Sequence, residues 1–254
     1  MFGNDLNKLK KAIDILDFRY LKFKVSKCAL HGHSVFVRLN NTMLGVRCVV
    51  CGAAPIATSI ANVLIKYVPD YKSKKIYELS ARGAFYEFLN KNVENIVFSE
   101  YMDDVSPGNS KDGVLCQDVQ HLTFDDGEFD ICTSTEVFEH VPDDLKGLKE
   151  IFRVLRDNGL FIFTVPLNEV EKTVERAMIK EGEIVHLLDP EYHDDSIRGV
   201  GKVLVFRDYG RDIVKKLQTI GFSNVDIVNE TDCAGFGYSK KVIVAQKSIK
   251  SPAK

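Results

Sequence analysis

The stretch over residues 75–85 constrains the fold of this chain more than any other part of its sequence. A short apolar run closes on the acidic Glu78, and a turn of small residues that includes Gly83 follows it. A helical pattern then begins over residues 86–91. This order is typical of the strand, turn and helix that bind a nucleotide in α/β proteins. Because an ordinary strand-to-helix turn has the same order, the stretch alone leaves both interpretations open.

Further segments follow in the order that a doubly wound α/β sheet requires. Apolar runs predict strands, and apolar residues at helical spacing predict helices. The predicted segments are residues 95–100, 114–118, 129–134, 137–156, 160–165, 207–220, 225–228 and 242–246. The first two of these strands end on Glu100 and Asp118, and residues 157–159 are predicted to stop the helix before the fifth strand.

The series closely resembles the class I S-adenosylmethionine-dependent methyltransferases, specifically the broad group that methylates small molecules and sugars. The resemblance covers about residues 74–246 and is most specific over residues 129–166. It implies a seven-stranded Rossmann-like α/β sheet with helices on both faces, and S-adenosylmethionine as cofactor. We expect this domain over residues 73–248, preceded by a smaller segment, residues 1–72, and followed by a tail over residues 249–254.

The resemblance also assigns cofactor contacts. In the family, the residue at the position of Glu78 contacts the methionine end of the cofactor, and the carboxylate at the position of Glu100 accepts hydrogen bonds from the ribose diol. The position of Asp118 accepts from the adenine amino group, while the backbone amide of Val119 donates to the ring. The nine positions that the resemblance carries over are Glu78, Ser80, Arg82, Gly83, Glu100, Tyr101, Asp118, Val119 and Thr135. Of these, Tyr101 is expected beside the adenine and Thr135 beside the methyl group.

The turn after Glu78 departs from the family pattern. Ser80, Arg82 and Ala84 stand where glycines are expected, which leaves only Gly83. A side chain as long as that of Arg82 leaves the turn sideways, where it either clamps a carboxylate or phosphate or packs on the surface. A turn of small residues would otherwise let the backbone approach the ligand closely.

Residues 166–210 carry more polar material than a crossover needs and are predicted to form the substrate lid. His193, in an acidic turn, is the first candidate for a general base, because neighbouring carboxylates can hold an imidazole pKa near neutrality. An exposed loop histidine is the competing interpretation. His186 is the second catalytic candidate and Glu136 the third. A divalent cation held by the acidic pair at 194 and 195 remains an alternative.

A histidine that looks catalytic lies between Glu139 and Val141. In the family that the sequence resembles, this trio is mainly a structural element that flanks the cofactor. The resemblance therefore argues against His140 as the base.

Two pairs of potential metal ligands stand near the start of the chain. Cys28 and His31 form the first pair, and Cys48 and Cys51 form the second after sixteen intervening residues. This spacing is typical of a zinc ribbon, in which two tight knuckles supply four ligands to one structural zinc ion. His33 competes with His31 for its position. The segment is also similar to the zinc-ribbon module before the methyltransferase domain in some bacterial members of the family, where both pairs are cysteines.

Two helices are predicted around this module, over residues 6–17 and 58–67, and the second is expected to lead into the methyltransferase domain. Charge is divided unevenly: residues 1–75 hold 13 Lys and Arg against 4 Asp and Glu, whereas the remainder holds 21 against 32. A basic surface of this kind suits nucleic acid or a phosphorylated partner, or it is simply solvated.

The chain contains no apolar run long enough to span a membrane, and residues 1–27 are charged throughout. We therefore expect a cytoplasmic protein without membrane association. The leading functional prediction is O-methylation of a small molecule such as a sugar, a nucleotide sugar or another glycan precursor. The alternatives are an RNA or protein methyltransferase that docks through the basic zinc module, and a scaffold that keeps the fold without catalysis.

Overall fold

The computed structural model describes residues 15–195, 201–229, 232 and 234–248. Most of the helix predicted over residues 6–17, and the tail predicted over residues 249–254, lie outside these residues.

The four helices of the described residues are α1 (Pro55–Tyr67), α2 (Gly83–Asn92), α3 (Asp144–Val154) and α4 (Ile213–Ile220). The first nine strands are β1 (Lys22–Cys28), β2 (Gly32–Arg38), β3 (Val46–Cys48), β4 (Lys75–Glu78), β5 (Asn95–Glu100), β6 (Ser110–Lys111), β7 (Val114–Cys116), β8 (Phe129–Thr135) and β9 (Leu155–Thr164). The remaining eight are β10 (Val174–Glu175), β11 (Ala177–Lys180), β12 (Glu183–His186), β13 (Tyr192–Asp195), β14 (Gly201–Leu204), β15 (Arg207–Asp208), β16 (Phe222–Asn229) and β17 (Lys241–Lys247).

The largest sheet has the strand order β16-β17-β9-β8-β4-β5-β7-β6. Neighbours within β7, β5, β4, β8 and β9 run parallel, whereas β17 and β16 close the sheet as an antiparallel pair. The seven strands predicted from sequence are all present, so the predicted Rossmann-like α/β fold is confirmed. An eighth strand, β6, extends the edge as a hairpin with β7. Asp112 and Gly113 form its two-residue turn with φ of 53° and 80°, as such hairpins require.

Helices cover both faces of this sheet. Side chains of a strand alternate between faces, so Phe161 and Phe163 belong to one core whereas Ile162 belongs to the other. The first core packs α3 and α4 against the sheet, and the second packs α1 and α2. The carboxyl ends of β4, β5, β7 and β8 consequently meet at one edge between these helices, where open α/β sheets bind ligands.

Two predicted helices begin later than expected. The helix predicted over residues 137–156 is interrupted by Pro142, and α3 starts after Asp143, whose side chain caps it by accepting from Lys146 N. A short 3-10 turn, Phe138–His140, precedes this break. The helix predicted from residue 207 begins instead at Ile213, because Arg207–Asp208 pairs with Val174–Glu175 as strand β15.

Residues 157–159, predicted to stop a helix, lie inside β9. The pairing of β8 with β9 is irregular there: Phe129 faces Leu155, but Ile131 faces Leu160. Asn158 adopts a φ of 63° at this irregularity. The strand therefore starts directly after α3, and the polar residues form a bulge within it.

The segment predicted as a lid forms three small antiparallel pairs: β10 with β15, β11 with β12, and β13 with β14. At the other end of the chain, β1, β2 and β3 form a separate antiparallel sheet with Phe36 and Val46 in its core. Among the described residues, no helix is both long and apolar enough to cross a membrane.

Candidate active site

Glu78 ends β4 and is buried. Thr133 on the neighbouring strand β8 donates a hydrogen bond from its hydroxyl to Glu78 Oε2. Burial raises the pKa of Glu78 to about 8; the Thr133 hydrogen bond opposes the shift, and the nearby charge of Glu100 adds to it. A cationic group placed beside this carboxyl would lower its pKa and favour the ionised form.

The turn after Glu78 is held by Glu100. The Oε1 atom of Glu100 accepts from the backbone N of Ala81 at 3.0 Å and from Ser80 Oγ at 3.2 Å. Arg82 Nε lies 3.7 Å from the same oxygen. The Arg82 side chain thus turns towards a carboxylate of the protein itself. Gly83 begins α2 with a φ of 86°, a conformation that favours glycine.

The other predicted adenosine contacts cluster at the ends of β5 and β7. Asp118 Oδ1 accepts from Gln120 N at 2.9 Å, which closes a short turn after β7. Val119 is buried against the core, and Tyr101 is exposed next to the buried Glu100. Glu78, Glu100 and Asp118 therefore follow three adjacent parallel strands.

The carboxyl ends of β8 and β9 carry several buried polar atoms. The hydroxyls of Ser134, Thr135 and Thr164 have no hydrogen-bond partner among the described residues. Glu136 follows with a φ of 52°, and its Oε2 pairs with Lys240 Nζ at 2.7 Å. Its Oε1 is buried without a hydrogen bond from the described part of the chain. Such atoms are expected where a ligand supplies the missing partners.

The three groups of Glu139, His140 and His193 converge beside this strand end. His193 Nδ1 lies 3.2 Å from His140 Nε2, and each of these nitrogens lies 3.8 Å from Glu139 Oε1. Glu139 is 0% exposed, and burial holds its pKa well above the usual range. His193, predicted from sequence as the base, is thus in contact with the histidine that sequence reasoning set aside. Glu139 was missed, because nothing in its local pattern shows that it is buried.

Arg207 fixes the loop that carries Glu139 and His140. Its guanidinium donates to the carbonyls of Phe138 at 3.0 Å, Val141 at 2.5 Å and Pro142 at 2.7 Å. The residue is 2% exposed. Because buried backbone carbonyls need donors, this one side chain stabilises the non-helical loop around Pro142 by donating to three of its carbonyls.

The other catalytic candidates lie apart from this cluster. His186 is exposed on β12, where it pairs with Ala177 of β11. Asp194 and Asp195 lie in β13, paired with Lys202 and Gly201, and their side chains are outside the part that the structure describes.

A second cluster lies in the small sheet. The side-chain donor atoms of Cys28, His31, Cys48 and Cys51 all lie within 4.8 Å of one another. His31 Nε2 is 3.1 Å from Cys48 Sγ, and the sulfurs of Cys28 and Cys51 are 3.7 Å apart. Of the two competing histidines, His31 is the one in the cluster. The sequence spacing predicted that the three cysteines meet one histidine, but it left the choice between His31 and His33 open.

Comparison with known protein families matches the central part of the chain. Residues 79–163 match a family model described as a methyltransferase domain. Over these residues, about a third of its length, the chain is similar to methyltransferase domains. The matched part thus includes the turn after Glu78, the acids at the ends of β5 and β7, and the loop with Glu139 and His140.

Curated relatives are similar over part of their length. A ubiquinone biosynthesis O-methyltransferase of Coxiella burnetii is 28% identical over 147 residues, which is 53% of this chain and 62% of the relative. A sarcosine/dimethylglycine N-methyltransferase of Halorhodospira halochloris is 30% identical over 93 residues, covering 35% of this chain and 33% of the relative. The chain therefore spans less than two thirds of the length of these relatives.

A solved structure shares the fold. The glycopeptide N-methyltransferase MtfA, determined in complex with sinefungin, superposes with a TM-score of 0.51 at 17% identity and covers 77% of this chain and 95% of its own. At this identity the likeness is one of architecture.

Proposed function

We propose that the chain is an S-adenosylmethionine-dependent methyltransferase that methylates an oxygen of a small molecule. The observation that carries this proposal is the row of three acids, Glu78, Glu100 and Asp118, after adjacent parallel strands of the methyltransferase domain. The relatives named above are methyltransferases of small molecules, and one is an O-methyltransferase. A sugar, nucleotide sugar or other glycan precursor remains our prediction for the acceptor.

Each acid is proposed to meet a different part of the cofactor. The buried carboxyl of Glu78 faces the cationic methionine end, which favours its ionised form. Glu100 is proposed to accept from the ribose diol through Oε2, since Oε1 already holds the turn at Ser80 and Ala81. Asp118 and the backbone amide of Val119 are proposed for the adenine, and Tyr101 for its exposed side. The Ser80–Gly83 turn and Thr135 complete the proposed cradle.

The cofactor supplies an electrophilic methyl group on a sulfonium. The acceptor oxygen bonds to the methyl carbon as the carbon–sulfur bond breaks, its electron pair returns to sulfur, and the acceptor hydroxyl loses its proton. The chain's main task is to hold oxygen and methyl in line. His193 is our first proposal for the proton acceptor, with His186 and Glu136 as the other candidates. The ion pair of Glu136 with Lys240 makes Glu136 the weakest of the three.

We further propose that Cys28, His31, Cys48 and Cys51 bind a structural zinc ion. Three sulfurs and one imidazole within 4.8 Å suit tetrahedral zinc, and all four positions come from the protein. Bound there, the ion would hold together the ends of β1 and β3, which enclose a small core. Its part would be structural, because no coordination position is left for a substrate.

Titration calorimetry with S-adenosylmethionine and S-adenosylhomocysteine tests the cofactor proposal. We expect micromolar binding that Glu100→Ala abolishes and that Glu100→Gln, which can still accept from Ala81, weakens at least about tenfold. Glu94→Ala, at the exposed amino end of the same strand region, is the matched control and is expected to bind normally. Folded protein that gives no heat with either ligand would favour the scaffold alternative.

An RNA or protein substrate is the second candidate, favoured by exposed lysines on the edge strand β1. Lys22, Lys24 and Lys27 are all exposed there, together with Val25. If this surface docks RNA, binding must weaken steeply with salt, because each neutralised phosphate releases counterions. Unchanged activity on a small acceptor after Lys22→Ala and Lys27→Ala, with no salt-dependent RNA binding, would count against this candidate.

A further inference from the structure

The carboxylate of Glu139 is buried with both oxygens unsatisfied. The side chain is 0% exposed, and neither Oε1 nor Oε2 has a hydrogen-bond partner among the described residues. Buried carboxyl groups are normally paired, hydrogen-bonded or bound to a metal. The proposed cofactor contacts do not use this group, so its partner must be sought elsewhere.

The two nearest nitrogens suggest what that partner is. His140 Nε2 and His193 Nδ1 are 3.2 Å apart, and each is 3.8 Å from Glu139 Oε1. A point equidistant from three atoms at these separations lies about 2.1 Å from each, and metal bonds to imidazole nitrogen and carboxylate oxygen measure about 2.0–2.2 Å. One ion close to the plane of the three donors could therefore contact all of them at bonding distance.

The hydrogen bond on the far side of His140 also suits a metal ligand. His140 Nδ1 lies 2.8 Å from the carbonyl oxygen of Leu204. Because a carbonyl only accepts, Nδ1 carries the proton, and Nε2 of the neutral ring presents a lone pair to the cluster. Histidine ligands are commonly oriented in this way by a backbone carbonyl.

The fold holds the three donors from two directions. Arg207 fixes the backbone on either side of Glu139 and His140, and Phe206 N donates to the Glu139 carbonyl at 2.8 Å. His193 arrives on β13, opposite Val203 of β14, from the segment predicted as a lid. A site built in this way is incomplete unless that segment lies over the methyltransferase domain.

We propose that Glu139, His140 and His193 bind a divalent transition-metal ion. Two imidazoles and one carboxylate suit Zn²⁺, Mn²⁺ or Fe²⁺ rather than Ca²⁺, which prefers oxygen ligands. A proton relay without metal is the competing use of these groups, but the separations of 3.8 Å place both imidazole nitrogens beyond hydrogen-bond distance of Glu139 Oε1.

The role of the ion rests on the proposed methyl transfer. The cluster follows Thr135 and Glu136, beside the predicted position of the methyl group. An ion there would bind the acceptor hydroxyl and lower its pKa, so that oxygen attacks as an alkoxide-like nucleophile. His193 would then act as a ligand, and the proton would pass to solvent or to a neighbouring base.

Manganese is the first probe, because it prefers nitrogen and oxygen ligands and is not expected to bind at the cysteine cluster. Electron paramagnetic resonance of free Mn²⁺ should show one ion bound per chain. We expect His193→Ala and Glu139→Gln each to weaken binding at least tenfold. His33→Ala removes an exposed histidine outside the cluster and should bind as the parent does. Zinc content after reconstitution should likewise fall from two ions per chain to one in His193→Ala.

Failure of this inference is separable from failure of the methyltransferase proposal. Wild-type protein that binds neither Mn²⁺ nor a second zinc ion, or variants that bind metal as well as the parent, would overturn the metal site. S-adenosylhomocysteine binding is measured on the same samples. A His193→Ala variant that binds no metal but still binds S-adenosylhomocysteine is folded, and this result would support the inference. Metal binding without cofactor binding would overturn the methyltransferase proposal and leave the metal site standing.

Discussion

Two buried glutamates at the ligand edge of the sheet differ in a single respect. Burial raises the pKa of both Glu78 and Glu139, but only Glu78 receives a hydrogen bond, from Thr133. Glu78 is therefore hydrogen-bonded before any ligand binds, whereas Glu139 has no hydrogen-bond partner among the described residues and faces the imidazoles of His140 and His193 at 3.8 Å. One carboxyl is suited to sensing the charge of a ligand, and the other to holding an ion.

Stability should reveal the buried proton of Glu78. Its folded pKa of about 8 exceeds the value of about 4.5 for an unperturbed glutamate, so the folded state keeps a proton that the unfolded state loses between these values. Stability attributable to this group therefore falls as pH rises from about 5 to 8, by about 1.4 kcal/mol per pH unit. Glu78→Gln, which can still accept from Thr133, should become progressively more stable than the parent across this window.

Urea unfolding at intervals from pH 5 to 8.5 measures the difference. The exposed Glu94→Gln serves as control, and its curve should stay parallel to that of the parent. A parallel curve for Glu78→Gln as well would show that Glu78 is ionised in the folded protein.

Sequence predicted the position of each acid but not its contacts. The register of β4 and β5 placed Glu78 and Glu100 at neighbouring strand ends. That Glu100 would hold Ser80 and Ala81 could not be predicted, because it depends on how the glycine-poor turn bends back across the sheet. From the sequence, Arg82 either clamps a carboxylate or phosphate or packs on the surface; in the structure its Nε lies 3.7 Å from Oε1 of Glu100.

At the scale of elements, the two helix predictions that start too early are wrong for the same reason. The predicted helices over residues 137–156 and 207–220 both begin with residues that adopt other structure, and these two stretches bind each other through Arg207. Apolar spacing within each stretch carries no information about a partner some 65 residues away. Pro142 was the local signal against a continuous helix, since it removes a backbone donor.

Removal of the Arg207 clamp should be costly. Arg207→Met removes the guanidinium donors of the Val141 and Pro142 carbonyls, whereas the Phe138 carbonyl still accepts from Val141 N and Tyr209 Oη. Each buried carbonyl left without a donor costs about 1–3 kcal/mol. We expect unfolding free energy to fall by about 2–5 kcal/mol in urea titrations. Arg211→Met removes an exposed ion pair with Glu169 and should change stability by less than about 1 kcal/mol.

The two variants are a matched pair, because each replaces an arginine by methionine and the two positions are four residues apart. Equal losses would mean that Arg207 contributes only surface charge, and the loop of Glu139 and His140 would then be held by its own packing. A large loss confined to Arg207→Met, with metal binding also weakened, would link the clamp to the geometry of the site.

At the scale of the molecule, the small sheet packs against the helices α1 and α2 of the large sheet. The core around Cys28, Phe36 and Cys48 includes contacts with Ala57 of α1 and Ala84 of α2. The spacing of the cysteines and histidine led us to predict a zinc-ribbon module before a methyltransferase domain, and the structure brings Cys28, His31, Cys48 and Cys51 together. Which surface of the domain the module would cover was not predictable, because small residues such as Ala84 show no preference for a particular partner.

Metal removal should therefore affect both stability and cofactor affinity. We expect His31→Ala, or chelation of the zinc from the parent, to lower the melting temperature by about 5 °C or more, because metal-binding free energy contributes to folding. S-adenosylhomocysteine should also bind more weakly in calorimetry, since Ala84 lies in the first turn of α2, directly after the cofactor turn. His33→Ala, two residues away and outside the cluster, should keep the zinc, the melting temperature and the affinity. Loss of the metal in His33→Ala would show that the ligand assignment is wrong. If His31→Ala loses zinc but binds S-adenosylhomocysteine as the parent does, the metal stabilises only the small sheet, and the contact at Ala84 does not affect cofactor binding.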